Sequence, residues 1–524
     1  MRSKRDLPSL LVRADADATR GTGHVMRCLA LADAWKTRGG EVLLLSCCPE
    51  PLLRRRYENA GATVIEIGTP HPHTADLHAT VAALQESMCH RNQRPWVVLD
   101  GYHFDTEYQT ALRSAGCHLI VIDDTAQLPR YDADIILNHA LNTESLAYNC
   151  AADTLLLLGT QFGMLRPEFQ RWRDLDRECP AVARKILVTL GGSDNGNATV
   201  KIIEALEQIS EPHLQVRVVV GPLNPHLAEV QRVIASASVH FRVETDVVDT
   251  APLMAWADLA VAAGGTTAWE LAFMKVPALV FTLADNQLGV VRAIDEFGSA
   301  RALGSPEILS AGEIAVAVTD LMLDRSARRQ MIEKSRVLMD GRGVERVLNV
   351  MLQGMCGEKF QLRPATQQDA LLLWQWANDP ETRRNSFMSE PILWSTHKRW
   401  CTARIGSPDT RLWILEYRHV AVGQIRYDRT DPKTAQISFS IAPAYRGRSW
   451  GAQILSLTAD RAGGELGVRE VEGIAFIENV ASRHAFIKAG FELCEEKNIA
   501  GHACVVFRRF CSPVSAGEFC ASIH

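Results

Sequence analysis

Three times in its first 280 residues this chain runs from a short apolar segment through a glycine turn into a helix. That repeated junction restricts the fold more than any other feature. The first junction is Leu10-Leu11-Val12, then Gly21-Thr22-Gly23-His24, then Val25–Trp35 with apolar residues at helical spacing. The second is Lys185–Leu190, Gly191-Gly192-Ser193-Asp194 and a helix opening at Asn195–Ala205. The third is Leu259–Ala262, Ala263-Gly264-Gly265-Thr266-Thr267-Ala268-Trp269-Glu270 and the helical Leu271–Met274. Strands that hand over to helices in this way build parallel, doubly wound sheets, whose ligands lie beyond the carboxyl ends of the strands. Glycine lets the backbone turn tightly and approach a ligand, and the free N–H groups at a helix start attract anions.

Between the first two junctions, apolar strands are expected at Val42–Ser46, Val64–Ile67, Trp96–Leu99, Leu119–Ile122 and Ile135–Leu137. Polar groups stand at three successive strand ends: Asp100-Gly101-Tyr102, Asp123-Asp124 and Asn138. Each could be a turn or a helix cap, but together with Gly21–His24 they converge on one sheet edge. His24 at the cleft mouth suits a general base beside a phosphorylated substrate; taken alone it could equally be a capping or buried histidine. Asp15 and Asp17 flank the same turn. Their spacing is met by an Asx-turn as well as by a metal, and no histidine or cysteine completes a ligand set, so no metal is expected.

The second half reads as a nucleotide site. Gly264, Gly265 and Thr266 offer donors to a diphosphate, and Thr267 adds a hydroxyl. Glu270 can accept two hydrogen bonds from a ribose diol, or else serves the helix dipole. The strand Val276–Phe281 follows, closed by Asp285-Asn286-Gln287.

At 524 residues the chain is too long for one core, so two or three domains are expected. A formal net charge of −5 gives no support for a nucleic-acid surface. No apolar run approaches the roughly 20 residues that span a bilayer. The basic Met1–Arg5 is followed by too short an apolar run for a signal peptide. Thirteen scattered cysteines form no C-x-x-C pair, which argues against a zinc site or a disulfide framework and fits a reducing cytoplasm.

Helices with charged faces occupy 312–338, Val344–Leu352 closes the second half, and Gly354-Met355-Cys356-Gly357 reads as a linker. A different pattern then begins. Phe360–Asp369 is a strand and a capped helix start. Leu371–Asn378 is helical, and Leu412–Tyr417, Ala421–Tyr427 and Ala435–Ile441 alternate as antiparallel strands. Tyr445-Arg446-Gly447-Arg448-Ser449-Trp450-Gly451-Ala452 heads the helix Gln453–Ala462. Its amides, with Arg446 and Arg448, can bind a pyrophosphate, although either arginine singly could be a basic helix cap. The strand Val471–Phe476 precedes Asn479…Gly490-Phe491.

Residues 1 to about 350 resemble the UDP-sugar hydrolase family of the pseudaminic acid pathway. The resemblance rests on Gly21-Thr-Gly-His24, Asp100-Gly-Tyr102, Asp123-Asp124, Leu165-Arg166-Pro-Glu168-Phe169, Leu190-Gly-Gly-Ser-Asp194 and Gly264-Gly-Thr-Thr-Ala-Trp-Glu270, in that order. It implies a GT-B-like pair of Rossmann-type domains, over 1–165 and 166–353, that removes UDP from UDP-2,4-diacetamido-2,4,6-trideoxy-β-L-altrose with inversion and no metal. It makes His24 the base that activates water, with Tyr102 and Asn286 ordering the water or the sugar. Gly192, Ser193, Gly265, Thr266 and Thr267 cradle the diphosphate and Glu270 holds the ribose; Gly21, Gly23, Asp100, Gly191, Gly264 and Gln287 complete the substrate site. The Glu270 element is shared with UDP-sugar glycosyltransferases and epimerases, which are the rival reading.

Residues 358–511 resemble the α+β GNAT acetyltransferases. That resemblance implies acetyl-CoA as co-substrate, bound by Ile441, Arg446, Gly447, Arg448, Ser449, Trp450, Gly451, Ala452, Asn479 and Ser482. Ser449 stands where a glycine is usual and Phe486 where many members carry a tyrosine acid. Glu478 and Ser482 are therefore the remaining, weak candidates for the acid. The two resemblances together imply a fused enzyme that first acetylates the 4-amine of a UDP-linked aminosugar, UDP-4-amino-4,6-dideoxy-N-acetyl-β-L-altrosamine, and then hydrolyses the product. Neither a membrane nor a nucleic acid is an expected partner.

Overall fold

The computed structural model describes residues 7–17, 22–47, 51–91, 93–141, 143, 146–353 and 360–512. The chain divides into two compact units, Met1–Leu348 and Asn349–His524. Gly21 and the stretch 354–357 lie outside the described residues.

The first unit holds two all-parallel sheets. The first sheet comprises β1 (Leu10–Ala14), β2 (Val42–Ser46), β3 (Thr63–Glu66), β4 (Trp96–Asp100), β5 (His118–Ile122), β6 (Ile135–Asn138) and β7 (Leu155–Leu158), in the order β3-β2-β1-β4-β5-β6-β7. The second comprises β8 (Lys185–Thr189), β9 (Gln215–Val219), β10 (His240–Glu244), β11 (Leu259–Ala263), β12 (Ala278–Phe281) and β13 (Arg301–Gly304), in the order β10-β9-β8-β11-β12-β13. Each is a Rossmann-type half, with strand order reversing beside β1 and β8. The central strands β1, β4 and β11 are buried along their whole length, as parallel strands covered on both faces must be. The helix Gly23–Thr37 after β1 is buried nearly all round, and its Trp35 indole donates to the Pro8 carbonyl at 3.0 Å.

Arg13 is charged, yet it sits inside β1. Its guanidinium is paired on one side with Asp15 (2.5 Å) and on the other with Asp76, and Asp15 in turn meets His103 at 2.9 Å. Asp15 also accepts from the Cys47 amide at 2.7 Å. A buried cation needs such partners, and they consume Asp15. Among the described residues no group of three histidine, cysteine or acidic side chains is placed to hold a metal.

The second unit is one mixed sheet: β14 (Phe360–Pro364), β15 (Thr410–Tyr417), β16 (Val420–Arg429), β17 (Thr434–Ile441), β18 (Glu470–Phe476), β19 (Glu492–Ile499) and β20 (His502–Phe510), in the order β14-β15-β16-β17-β18-β20-β19. All neighbours are antiparallel except β17 and β18. That parallel pair is bonded only from Thr434↔Glu470 to Ile437↔Gly473. Beyond it Ser438–Ile441 and Ile474–Phe476 continue without pairing to each other, so the sheet splits open at its middle. Among the described residues no helix is long and apolar enough to cross a membrane.

Candidate active site

The carboxyl ends of both parallel sheets face one cavity of about 1000 Å³. From the first half, the helix Gly23–Thr37 starts at its wall. From the second, the helix Thr266–Phe273 starts opposite. A β-carbon built on Gly23 would lie 3.9 Å from the Thr266 Cγ2 and Oγ1. Among the described residues, neither N-cap residue, Thr22 or Gly265, caps its helix with a side chain. Two sets of unpaid backbone N–H donors therefore converge on the same space, which is the electrostatics an anion needs.

His24, the second residue of its helix, lines this cavity, and its Nδ1 lies 2.6 Å from Asp100 Oδ1. Asp100 ends β4 and is completely buried. Arg27, one helical turn beyond His24, donates Nε and Nη2 to the two Asp100 oxygens at 2.5 and 2.7 Å. Its Nη1 reaches Asp124 Oδ2 at 2.6 Å, and the Tyr102 hydroxyl donates to that same oxygen at 3.1 Å. Burial alone would raise the Asp100 pKa, but Arg27 and His24 outweigh it and hold the carboxyl well below its usual range. Asp100 is thus an anion that fixes one imidazole nitrogen and leaves the other toward the cavity. The Tyr102 ring meets the His24 ring edge-on at 5.0 Å. Burial and the Asp124 charge push its phenol well above the ordinary value, so it stays a donor. Asn286 of the second half is near enough to act on the Tyr102 phenol, and the two are expected to act together.

Gly191 has φ +89°, a conformation that favours glycine, and a β-carbon on Gly192 would overlap Thr22 Oγ1 at 2.3 Å. Gly192 is therefore a point of close approach between the two halves, and Ser193 lines the cavity beside it. Gly264 backs onto Val291, Gly265 is the N-cap of the Thr266 helix, and Thr266 and Thr267 form its first turn. Glu270 lies one turn further and accepts from Arg166 Nε at 2.8 Å. Arg166 is held also by Glu168 at 2.8 Å and by the Thr250 hydroxyl at 2.8 Å. Gln287 folds back to accept from the Leu283 amide at 3.0 Å.

Two expectations change here. Asp100 does not reach the cavity; it is a positioning residue beneath His24, because Arg27 and His24 occupy both its oxygens. The helix following Gly191–Ser193 begins at Ala198, and its start is already filled: Asp194 accepts from the Ala198 and Thr199 amides, both at 2.9 Å. Any phosphate role of that turn falls to the turn itself. Arg27 and Arg166 carry no role in the sequence reading. The i,i+3 spacing of His24 and Arg27 is the signal that was available.

In the second unit the split between β17 and β18 leaves Ile441 at the open end of β17, beside the helix Trp450–Leu466. Its N-cap residue, Ser449, makes no side-chain cap. Gly447 has φ +76° and Ser449 φ +61°. The residue where glycine is usual thus adopts the conformation that favours glycine. Gly451 is closely packed, since a β-carbon would lie 3.2 Å from Phe439 and 3.3 Å from Ala485. Ala452 is buried behind it. The open strands and uncapped turn fit a long thioester arm with a pyrophosphate at its end.

Arg446 is not part of that turn's free charge. Its guanidinium is held by Asp379 at 2.5 Å, Glu381 at 2.9 Å and Thr382 at 3.0 Å, all on or beside the helix Pro380–Arg384. The expected pyrophosphate contact is thus replaced by a structural clamp. Arg448 lies over the rings of Tyr445 and Trp450, 4.9 and 5.3 Å from their centroids. Asn479 caps the helix Val480–Lys488 by accepting from the Ser482 amide at 3.0 Å. Phe486 is core, stacked on Phe507 at 5.1 Å and edge-on to Phe439 at 5.5 Å.

The acetyltransferase (GNAT) domain family matches residues 359–492. An uncharacterized protein of Methanocaldococcus jannaschii is 22% identical over 457 residues, 85% of this chain and 88% of that protein. The spore coat polysaccharide biosynthesis protein SpsG of Bacillus subtilis is 28% identical over 240 residues, 42% of this chain and 69% of that protein. The Helicobacter pylori protein named pseudaminic acid cytidylyltransferase and UDP-2,4-diacetamido-2,4,6-trideoxy-beta-L-altropyranose hydrolase is 24% identical over 205 residues. That match spans 39% of this chain and 37% of that protein. Among solved structures, Acinetobacter baumannii MurG covers 66% of this chain and 99% of its own, with 18% identity and a TM-score of 0.47. Spermidine N-acetyltransferase from Vibrio cholerae, in complex with CoA and spermine, covers 29% and 96%, with 15% identity and a TM-score of 0.27. The chain is a fusion: its C-terminal unit is a GNAT acetyltransferase domain, and its N-terminal region is homologous to the hydrolase and spore coat proteins.

Proposed function

We propose that this chain is a bifunctional enzyme of pseudaminic acid biosynthesis. Its GNAT unit transfers the acetyl group of acetyl-CoA to the 4-amine of UDP-4-amino-4,6-dideoxy-N-acetyl-β-L-altrosamine. Its first unit hydrolyses the resulting UDP-2,4-diacetamido-2,4,6-trideoxy-β-L-altrose to UDP and free sugar. The observation that carries the hydrolytic half is the pairing of one carboxylate-fixed imidazole, His24, with two uncapped helix starts across a single cavity.

The chemistry runs from those groups. His24, held through Nδ1, takes a proton from water at its other nitrogen. The hydroxide attacks the anomeric carbon from the face opposite UDP. The bond from that carbon to the diphosphate oxygen breaks, and its electron pair leaves on the β-phosphate. Inversion follows from the opposed faces. A diphosphate is already a good leaving group, so it needs fixed donors rather than an acid; the Gly23 and Thr266 helix starts supply them. Tyr102 and Asn286 order the water or sugar. Glu270, with one oxygen on Arg166, keeps the other for a ribose hydroxyl.

In the second unit the amine attacks the thioester carbonyl, an amide forms and CoA leaves as the thiol. The split sheet admits the pantetheine arm, and the Gly447–Gly451 turn offers its amides to the pyrophosphate. The relative named as a hydrolase of this sugar nucleotide supports the substrate choice. The test uses the full chain and UDP-2,4-diacetamido-2,4,6-trideoxy-β-L-altrose with no added acceptor, followed by NMR. Free sugar and UDP are expected. Turnover only when a sugar acceptor is added would assign the first unit to a glycosyltransferase instead. Acetyl transfer to the 4-amino sugar nucleotide is read separately as CoA release.

A further inference from the structure

Asp124 and His139 stand at the ends of neighbouring strands, two residues beyond the paired Ile122 and Leu137 of β5 and β6. The two side chains are near enough for each to act electrostatically on the other. Both line the cavity. Asp124 spends one oxygen on Arg27 and Tyr102. Its Oδ1 is buried and meets no donor among the described residues, and the buried His139 Nδ1 likewise meets no partner. His139 is 4% exposed, and Trp269 of the opposite half stands edge-on to its ring at 6.3 Å. Buried polar atoms without partners are costly, so two beside one another in a ligand cavity indicate a group that completes them.

We propose that Asp124 Oδ1 and His139 Nδ1 form the subsite that reads an acetamido substituent of the sugar, so that hydrolysis selects the acetylated substrate over its free-amine precursor. The proposal rests on the hydrolase reading above. A carboxylate oxygen only accepts, so it takes the amide N–H. A neutral imidazole can donate from Nδ1, so it serves the amide carbonyl. Burial holds His139 neutral, its pKa pushed down to about 4. Trp269 supplies apolar surface for the methyl group. A protonated amine brings donors only, and loses its hydration in a pocket whose carboxylate already serves a guanidinium. The subsite is one guanidinium away from the base, since Arg27 bridges Asp100 under His24 to Asp124.

The test compares the full chain with His139→Leu and His139→Gln, without acetyl-CoA, on the diacetamido sugar nucleotide and on its 4-amino precursor. UDP release gives kcat/KM, and calorimetry gives UDP affinity. The wild type is expected to favour the acetylated sugar at least about 10-fold, the range set by one unpaired buried polar group. His139→Leu should lose most of that ratio with UDP affinity unchanged, and His139→Gln, which keeps a donor, should regain part of it. Equal use of both sugars by the wild type overturns the proposal. So does an unchanged ratio in His139→Leu, or in His139→Ala if the leucine variant fails to bind UDP. Release of UDP from neither sugar by the wild type is the separate failure of the hydrolase reading.

Discussion

The carboxylate under His24 is the most informative single atom set to change. In Asp100→Asn the shape is kept and one oxygen becomes an NH2 group. Three strong donations converge on the native carboxylate: His24 Nδ1 at 2.6 Å and Arg27 through Nε at 2.5 Å and Nη2 at 2.7 Å. An amide cannot accept all three. With its NH2 at the Oδ2 position, it faces Arg27 Nε and loses that charge-assisted bond. With its NH2 at the Oδ1 position, it loses the Nη2 bond and donates to His24 Nδ1, which drives the proton to the other nitrogen and removes the base. Either arrangement forfeits one hydrogen bond to a charged group, about 1.5–3 kcal/mol of stability. The second arrangement also traps the wrong tautomer, for which a loss of about 10²–10⁴ in kcat is the expected scale. UDP affinity, set by the helix starts and Glu270, should stay within about threefold of the wild type, since uniform binding is untouched. The assay is steady-state UDP release with calorimetry of UDP binding and a urea melt. A kcat within threefold of the wild type, or a loss of UDP affinity matching the loss of kcat, would refute the positioning argument.

Glu270→Gln should weaken UDP binding about 10-fold while acetyl transfer stays within twofold, because Arg166 keeps Glu168 and Thr250 as partners; titration calorimetry and a thiol-release assay read the two effects. Arg446→Ala should lower the stability of the second unit by about 1–2 kcal/mol and leave the KM for acetyl-CoA within threefold, since its guanidinium clamps Asp379 and Glu381; a tenfold rise in that KM would return it to the pyrophosphate. Ser449→Gly removes a left-handed strain at φ +61° and should raise the stability of that unit, read from urea melts, by up to about 1 kcal/mol. His139 binds its proton at about pH 4 in the folded chain and near the ordinary 6.5 when unfolded. Its contribution is complete above 6.5 and lost as pH falls from there toward 4, by about 3 kcal/mol in all. His139→Gln should therefore flatten the fall in stability measured by urea melts across that window.

What the sequence made legible were the features that depend on neighbours in the chain. A strand, a glycine turn and a helix start are adjacent residues, so the junctions at Gly23, Gly191 and Gly265 can be read directly, as can the buried strands that feed them. Strands without a buried run are a different matter. The burial of β10 alternates between exposed and half-buried, and β19 is exposed almost throughout, so neither has the apolar signature that marks β1 or β11. The same boundary separates the site residues. His24 and Glu270 line the cavity from the turns that carry them, so their place, though not their role, is read from local sequence. Arg446 is misleading, and Asp194 is opaque, because a charged group beside a glycine turn looks available until its partner is known. Asp194 turns onto the Ala198 and Thr199 amides four and five residues ahead, and Arg446 finds acids more than sixty residues behind it. Arg27 shows the converse. In a helix buried nearly all round it looks like an anomaly, and only the fold supplies the two carboxylates, 73 and 97 residues away, that turn it into the bridge between the base and the Asp124–His139 pair. A charge in such a helix is tolerated only when both ends of its guanidinium are answered, so the burial of Arg27 itself requires that Asp100 and Asp124 be ionised together.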